Sequence, residues 1–448
     1  MKRATIQRMT SCLFFCVFVF AGASSSEAQE SSFGGDPRVE LTNNTTPTWS
    51  EAIDAFQQLA DRFQDVGFIE VGQSDVGRPI HAFVFSPNAS SIRNLDGLRS
   101  HRNSSANRLC MLVNNAIHPG EPCGVDASIA WMREVLADRK IKNRYLDEMD
   151  VVIIPMYNVG GALNRNCCSR TNQNGPEYYG FRGNSRNLDL NRDFIKMDSQ
   201  NSVAFVDLFH AVKPDVFVDT HTTNGADYPY RMTLITTQVD KAGPVIGSFL
   251  RDVYEPMLFD RMKQNGEAII PYVNLRNEIP ENGIVGFLET PRYSTGYTTL
   301  FSTLGFTAEA HMLKPFPERV EATRLLLQEM GRLSLDLADE IKQVRNEEKK
   351  RLSSAGALPT RWELKEADSK PLYFEGYAAR RELSPITKST RLRYDRQEIW
   401  KDSIAYWNAY AVKYEVVLPE FYCIPQAWRQ VVERLALNGI QMTALPND

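Results

Sequence analysis

The chain has 448 residues, 43% of them hydrophobic and 24% charged, with a formal net charge of −4. That is the composition of an ordinary globular protein with enough apolar residues for one large or two medium cores. The slightly acidic balance gives no reason to expect a nucleic-acid partner.

Lys2, Arg3 and Arg8 precede an apolar stretch from Cys12 to Ala23, and small and polar residues follow from Ser24 to Gln29. The pattern predicts a secretory signal over residues 1–29, cut near Ala28 or Gln29, because the apolar stretch is short for a membrane span. An uncleaved anchor is the alternative. The signal implies an exported protein, periplasmic or extracellular, with no stable membrane insertion once the signal is removed. Cys16 has no small residue before it and is not read as a lipidation site. Without the signal, Cys110, Cys123, Cys167, Cys168 and Cys423 remain. The number is odd, so at least one is free or paired between chains. Export permits disulfides, and the cysteines read as structural. Residues 30–46 read as a polar, mobile lead.

Trp49 to Phe63 shows helical periodicity, with Ile53, Phe56, Leu59, Ala60 and Phe63 on one face. Phe68–Val71 and Ile80–Phe85 read as strands joined by the Gly-bearing turn Gly72 to Pro79. Leu109 to Ala116 is the next strand, and Gly124 to Ala137 a helix with Val125, Ile129, Met132 and Val135 inward. Val151–Pro155 and Val216–Asp219 are short apolar runs, as expected of strands covered on both faces. Tyr157 to Asp193 is long, Asn- and Gly-rich and aperiodic, which favours a binding loop. Pro317 to Val344 predicts one amphipathic helix, and the charged run Arg345 to Arg351 its solvated end. Ser353 to Pro359 reads as a linker. Trp362 to Val417 then reads as short strands rich in Tyr and Trp, and Pro425 to Asn438 as a helix. Strands alternating with helices predict an α/β fold, a three-layer α/β/α sandwich with a mixed central sheet, plus a small C-terminal, mainly β domain. The expected organisation is a catalytic domain over 47–345, a linker over 346–360 and a C-terminal domain over 361–448, which the chain end leaves open to being incomplete.

His118-Pro119-Gly120-Glu121 closes one apolar run, and His221 closes another 103 residues later. Two imidazoles and a carboxylate suit a catalytic zinc with one position open to water. Strand ends are also where open α/β sheets build their sites. The bland alternative is two satisfied, buried histidines. A second cluster is Asn187 to Phe194, containing Asn191-Arg192, with Arg170-Thr171-Asn172 upstream. An arginine fork holds a carboxylate through two bonds, and a peptide's C-terminus is one. A loop held by Asn and Arg hydrogen bonds is the alternative. The third cluster is Phe306 to His311. A Glu in an apolar strand must be paired, protonated or functional. Beside a metal-activated water Glu309 would move protons, and otherwise it would be a structural partner of Arg292 or Lys314.

In this order the clusters resemble the zinc carboxypeptidase superfamily, the M14-type metallopeptidases of funnelin-like fold. Gly72-x-Ser74-x-x-Gly77-Arg78-Pro79-Ile80, His118-x-x-Glu121, His221, Asn191-Arg192 and Phe306-Thr307-x-Glu309 look like that family's successive segments, over roughly residues 47–345. The resemblance implies one zinc per chain on His118, Glu121 and His221, with Glu309 as general base and then acid. It implies Asn191 and Arg192 on the substrate's terminal carboxylate. Arg170, in Arg170-x-Asn172, would polarise the scissile carbonyl, with Arg165 as runner-up. Two departures stand out. Glu309-Ala310-His311 replaces the family's common Glu-Leu-Arg. The lid tyrosine falls on Tyr297, with Tyr293 second, both nearer Glu309 than the family's usual spacing. The loop Pro291 to Thr299 names no preferred side chain. The implied activity is zinc-dependent removal of C-terminal residues from a peptide or peptide-like substrate. An N-acyl amino acid deacylase, a peptidoglycan peptide trimmer and a catalytically silent binding module are the alternatives.

Overall fold

In the computed structural model, the structure describes residues 43–445. The expected signal, most of the expected lead and the last three residues lie outside that range. Thr46, at the end of the expected lead, is buried.

The chain opens with α1 (Trp49–Arg62), then the hairpin β1 (Val66–Gln73) and β2 (Pro79–Phe85). The helix starts at Thr48, whose hydroxyl accepts from Glu51 N while Glu51 accepts from Thr48 N, satisfying two of the free donors of the first turn. Its buried face is Ala52, Ala55, Phe56 and Leu59, slightly rotated from the expected stripe. There follow α2 (Leu95–Ser104), β3 (Leu109–Asn114), α3 (Cys123–Ala137), α4 (Arg139–Glu148), β4 (Met149–Ile154), α5 (Val159–Leu163), α6 (Gln200–Val212), β5 (Val216–Thr222) and β6 (Met232–Thr236). Next come α7 (Pro244–Phe249), α8 (Glu255–Gln264), β7 (Ile270–Pro271), β8 (Ile284–Val285), α9 (Ser294–Thr298), β9 (Leu304–Ala310), α10 (Phe316–Asp336) and α11 (Ala338–Ser353).

Eight strands form a mixed sheet in the order β1-β2-β4-β3-β5-β9-β6-β7. β4, β3, β5 and β9 run parallel at its centre, and β3, β4 and β5 are buried at every position. Side chains alternate across a sheet. Cys110, Leu112, Val152 and Phe217 therefore meet Phe205, Leu208 and Phe209 of α6 in one core. On the opposite face Phe85 packs against Tyr145 of α4, which in turn meets Trp131 of α3. Helices thus cover both faces, as the alternation of elements implied. No described helix is long and apolar enough to cross a membrane.

One expectation fails at the end of this sheet, and a second holds in part. The single helix over Pro317 to Val344 is two helices that part at Leu337 (φ −112°, ψ 26°). No Pro or Gly marks the break, so periodicity alone runs through it. The charged run after it is solvated at Asn346, Glu347, Lys349 and Lys350, as expected, but one edge of it is buried. Arg345 and Glu348 are buried, and Arg345 forms an ion pair with Asp215, just before β5, and donates to Ser302 O at 2.7 Å. Asp215 also accepts from Cys110 N at 2.8 Å. The segment 346–360 accordingly holds the end of α11 and the start of β10 (Ala357–Leu364).

β11 (Lys370–Leu383), β12 (Thr390–Trp407), β13 (Tyr410–Val417) and α12 (Arg429–Leu437) complete the chain. β10 pairs with β13, and β11 with β12. The central two strands have 14 and 18 residues, not the short strands expected. β12 also pairs with β8, in parallel. Phe374 and Ile404 bury themselves with Tyr228, Ile270, Val273 and Ile284, so these strands pack directly on the segments around the large sheet. Of the described cysteines, Cys167 and Cys168 are joined, Cys110 and Cys123 are free and buried, and Cys423 is free and exposed.

One buried acid gives a pH-dependent prediction. Asp126, on α3, accepts from the Thr46 hydroxyl at 2.7 Å. Burial pushes its carboxyl from 3.8 up to about 8. Between those values the folded form holds a proton that the unfolded chain has lost, so this group's stabilising contribution falls as pH rises. Asp126→Asn, which is neutral throughout, should match the wild type in melting temperature near pH 4. It should exceed it increasingly toward pH 8. A difference that stays flat in melting curves taken across that range would refute the assignment.

Candidate metal centre

Three strand ends converge on one cavity. β3 ends at Asn114 and the chain turns through Asn115 to Ile117 before His118. Glu121 N closes a turn onto His118 O at 2.8 Å, and α3 begins two residues later. Gly124 permits this approach: a Cβ there would lie 1.9 Å from Thr220 Oγ1 and 2.5 Å from Asn115 Oδ1. α3 is thereby seated against the end of β5, which carries His221. Across the β5–β9 ladder, His221 is paired in register with Glu309.

His118, Glu121 and His221 are buried, and one donor atom of each lies within 4.8 Å of the others. His118 Nδ1 is 3.3 Å from Glu121 Oε1, and His221 Nδ1 is 3.0 Å from Glu121 Oε2. Zinc bonds to N and O in a tetrahedron imply donor spacings of roughly 3.3 Å. The set therefore fits such an ion without rearrangement of the backbone.

The far nitrogen of each ring is held by a carboxylate. His118 Nε2 meets Asp189 Oδ1 at 2.9 Å, and His221 Nε2 meets Asp219 Oδ2 at 3.1 Å. This leaves Nδ1 of both rings aimed at Glu121, since a carboxylate on the far nitrogen fixes the orientation of an imidazole at a metal site. Asp219 is fully buried and accepts from Asn114 Nδ2 at 3.1 Å and from the Ser294 hydroxyl. The fields are strong. Burial alone would raise Glu121, but Arg170 and His118 hold it well below the usual carboxylate range. Burial alone would lower His221, but Asp219 and Glu121 hold it well above the usual imidazole value. Asp189 is likewise depressed, with burial outweighed by His118, Arg182 and Arg192.

Glu309 lines the same cavity. Its partial exposure opens there, and burial pushes its carboxyl up to about 7, against the lowering effect of His221. Neither expected structural partner reaches it. Lys314 sits instead 3.8 Å from Asp227, and among the described residues Glu309 has no ion pair within 4 Å. His311, where the family's common arginine would stand, is buried. It lies between Thr223 Oγ1 (3.4 Å) and Asp227 Oδ1 (3.2 Å), and Arg396 of β12 donates to the other oxygen of Asp227 at 2.7 Å.

Arg170, Asn191 and Arg192 all line the cavity. Arg170 donates to Glu121 Oε1 at 2.6 Å and to the carbonyls of Thr222 and Thr223 at 3.0 and 3.3 Å. Arg165 is turned away, donating to the carbonyls of Thr46, Pro47 and Tyr178. Asn191 Oδ1 accepts from Ser294 N at 3.2 Å. The Arg192 guanidinium lies 4.3 Å above the Tyr293 ring.

Tyr297 is a correction. It is fully buried and packs on Phe194, Phe209 and Phe301. Its hydroxyl is engaged by His210 at 3.1 Å and Asn438 at 2.7 Å. Tyr293 is the tyrosine of this loop that faces the cavity. One turn of α9 separates the two, and spacing from Glu309 could not tell them apart. Tyr293→Ala should raise KM about threefold through the lost cation–π contact without lowering the melting temperature. Tyr297→Ala should destabilise by about 3 kcal/mol, as for a large buried ring removed from a core. Steady-state kinetics and urea unfolding of both variants check the pair, and exchanged outcomes would restore Tyr297 to the site.

Sequence reasoning passed over the roles of Asp189 and Asp219, each two residues ahead of a residue it had singled out. It also passed over Arg182, whose guanidinium reaches the cavity from the long irregular loop.

With this geometry in place, residues 53–229 match the family model "Peptidase_M14: Zinc carboxypeptidase". That span contains the donor triad, Arg170, Asn191 and Arg192, and ends before Glu309. The chain is 25% identical over 207 residues to "Probable carboxypeptidase 2" of Trichophyton verrucosum, covering 45% of this chain and 35% of that one. It is 25% identical over 177 residues to "Carboxypeptidase 2" of Trichophyton rubrum, covering 39% and 28%. These matches span about a third of the relatives' length. Among solved structures, carboxypeptidase A of Helicoverpa armigera superposes with a TM-score of 0.47 at 13% identity, over 66% of this chain and 75% of that one. The zinc carboxypeptidase resemblance read from the motifs is borne out, with the family's His-Glu-His triad intact.

Proposed function

Taking the zinc carboxypeptidase match and the intact donor triad as premise, we propose that this chain is a zinc-dependent exopeptidase that hydrolyses C-terminal amide bonds of peptides. The observation that carries the reading is Glu309. This carboxyl lines the cavity directly across the ladder from a donor of the triad and has no ion-pair partner among the described residues. His118, Glu121 and His221 would hold one zinc. When bound there, zinc supplies Lewis acidity that lowers the pKa of water toward about 7.

The chain's own residues account for the rest. Arg192 and Asn191 grip the substrate's terminal carboxylate, an arginine fork being matched to that group. Arg170 leaves Glu121 for the carbonyl oxygen of the scissile bond and stabilises the charge that develops on it. Glu309 accepts a proton from the attacking water and delivers it to the departing nitrogen, a role that its place on the cavity wall opposite His221 suits. Asp189 and Asp219 keep both imidazoles in the orientation that presents Nδ1. Export through an N-terminal signal would place this activity outside the cytoplasm.

A panel of blocked dipeptides, N-acyl amino acids and muropeptides, assayed with and without a chelator, tests the reading. Chelator-sensitive release of the C-terminal residue from peptides is the expected result. Release only from N-acyl amino acids or muropeptides would move the substrate to that class. Stoichiometric zinc with no hydrolysis of any substrate would leave a binding protein.

A further inference from the structure

The wall that would receive the terminal carboxylate is made by two loops, and α12 is fastened to both. Arg192 lies four residues before Lys196, and Tyr293 one turn of α9 before Tyr297. The loops are bonded to each other, Phe194 N donating to Arg292 O at 3.3 Å and Ile195 N to Pro291 O at 3.1 Å. Their side chains meet where the Arg192 guanidinium lies 4.3 Å above the Tyr293 ring. Asp193 closes the first loop on itself, accepting from Asp198 N and Ser199 N at 2.9 Å each. α12 then bridges the pair. Arg434 donates through Nε to Lys196 O at 2.6 Å and through Nη2 to Met197 O at 3.2 Å, and lies 3.3 Å from the Asp198 carboxylate. Four residues on, Asn438 Oδ1 accepts from the Tyr297 hydroxyl at 2.7 Å. That spacing puts both side chains on one face of the helix. Asn438 Nδ2 donates back to Arg434 O at 2.8 Å, and Gly439, with φ +75°, ends the helix there.

Little else holds this helix. α12 has no buried residue, and Leu437 is only partly buried where it packs against the core. Residues 418–428, which lead to it, are exposed except for the half-buried Ile424. A segment with few buried apolar contacts opens at low free energy, so the docking of α12 depends on these few polar bonds. Resting on the exopeptidase reading of this site, we propose that Arg434 and Asn438 are positioning residues: docked α12 holds the two loops so that Arg192 and Tyr293 stand together, and thereby sets the affinity for the substrate's terminal carboxylate. Neither residue lines the cavity. They act through the loops, because a guanidinium fork grips a carboxylate in two bonds only when it is aimed correctly. The effect of releasing them is partial. The loops keep their bonds to each other, and the Tyr297 hydroxyl keeps His210 at 3.1 Å. The donor triad and Glu309 stand on or beside β3, β5 and β9, away from the clamp, so zinc binding and the turnover of bound substrate stay as they are.

The test reads binding by calorimetry on the full, zinc-loaded chain carrying Glu309→Gln, so that no turnover intervenes. The probes are a blocked dipeptide and its C-terminal amide, whose affinity ratio isolates the grip on the carboxylate. In this background the free carboxylate should bind tighter. Arg434→Met and Asn438→Ala should each lower that preference about fivefold, the size of one hydrogen bond, and the two together should lower it further. Arg434→Lys, which keeps the charge beside Asp198 and loses the fork, should fall between. Affinity for the amide should not change. With Glu309 intact, the same substitutions should raise KM and leave kcat alone. A merely structural part for α12 would instead lower the melting temperature and the active fraction while the ratio stayed as it was. An unchanged ratio in the double variant, or equal losses for carboxylate and amide, would overturn the proposal. Cleavage by the wild type is scored separately. Expected ratios without any cleavage would strike the exopeptidase reading and leave the clamp standing. Cleavage with a ratio insensitive to both substitutions would strike the clamp alone, and no preference for the carboxylate in the starting chain would strike both.

Discussion

Glu309→Gln should lower kcat roughly a thousandfold, the middle of the range for a general acid–base group, while zinc content and melting temperature stay at wild-type values. The amide matches the carboxylate in shape but cannot take a proton from water. It therefore removes the proposed chemistry and nothing else. The register that places Glu309 opposite His221 is set by the β5–β9 ladder, and that ladder has no reason to change when one side-chain oxygen becomes an amide nitrogen. Stopped assays with a C-terminal fluorophore, run beside elemental analysis, read both quantities on one sample. Turnover within tenfold of wild type would assign the proton transfer elsewhere. Loss of zinc along with activity would make Glu309 a ligand or its support instead of the base.

The second large effect is on stability. Arg345→Met should cost about 3–5 kcal/mol of unfolding free energy, the range for a buried pair that loses one partner. Arg345 pairs with Asp215, and both are largely buried. The pair ties α11 to the start of β5, the strand that delivers His221 to the site. Asp215 keeps one bond, from Cys110 N, but its charge would lose its counterpart. Removing both charges, in Arg345→Met with Asp215→Asn, should recover part of the loss, because the penalty comes chiefly from the stranded carboxylate. Urea unfolding of the wild type, both single variants and the double variant gives the coupling directly. A single-variant cost below about 1 kcal/mol, as for an exposed pair, would mean that the ion pair is not formed in solution.

Arg345 also marks where the sequence stops being readable. Its neighbours Asn346 to Arg351 are mostly charged, and in a one-dimensional reading such a run is a solvated helix end. Nothing local announces that Asp215, 130 residues away, needs a partner. The central strands were legible for the opposite reason. Leu109–Val113 and Val216–Val218 are continuous apolar runs too short for a helix, as strands buried on both faces are. α2, α4 and α6 passed unread. The first two are short and carry mostly polar residues, with few buried positions. α6 is buried on most of its surface, which blurs its periodicity.

The candidate site was legible where residue chemistry is rare. With six histidines in the chain, two at strand ends were conspicuous, and Glu121 follows one of them by three residues. Asn191-Arg192 and Glu309 came from short segments with a definite order. Tyr297 did not survive, because two tyrosines one helical turn apart differ only in what they pack against. Phe194, Phe209 and Phe301 surround Tyr297 and leave the cavity to Tyr293. Arg182 was invisible in a loop already dense in Arg and Asn. Its contact with Asp189 is visible only in the fold.

The most direct test of the whole account is a crystal structure of the zinc-loaded protein with anomalous data collected at the zinc edge. The account predicts a single anomalous peak bonded to Nδ1 of His118, Nδ1 of His221 and a carboxylate oxygen of Glu121, with Glu309 facing its open side. A peak at any other cluster, or none at those three donors in a zinc-saturated crystal, would contradict it.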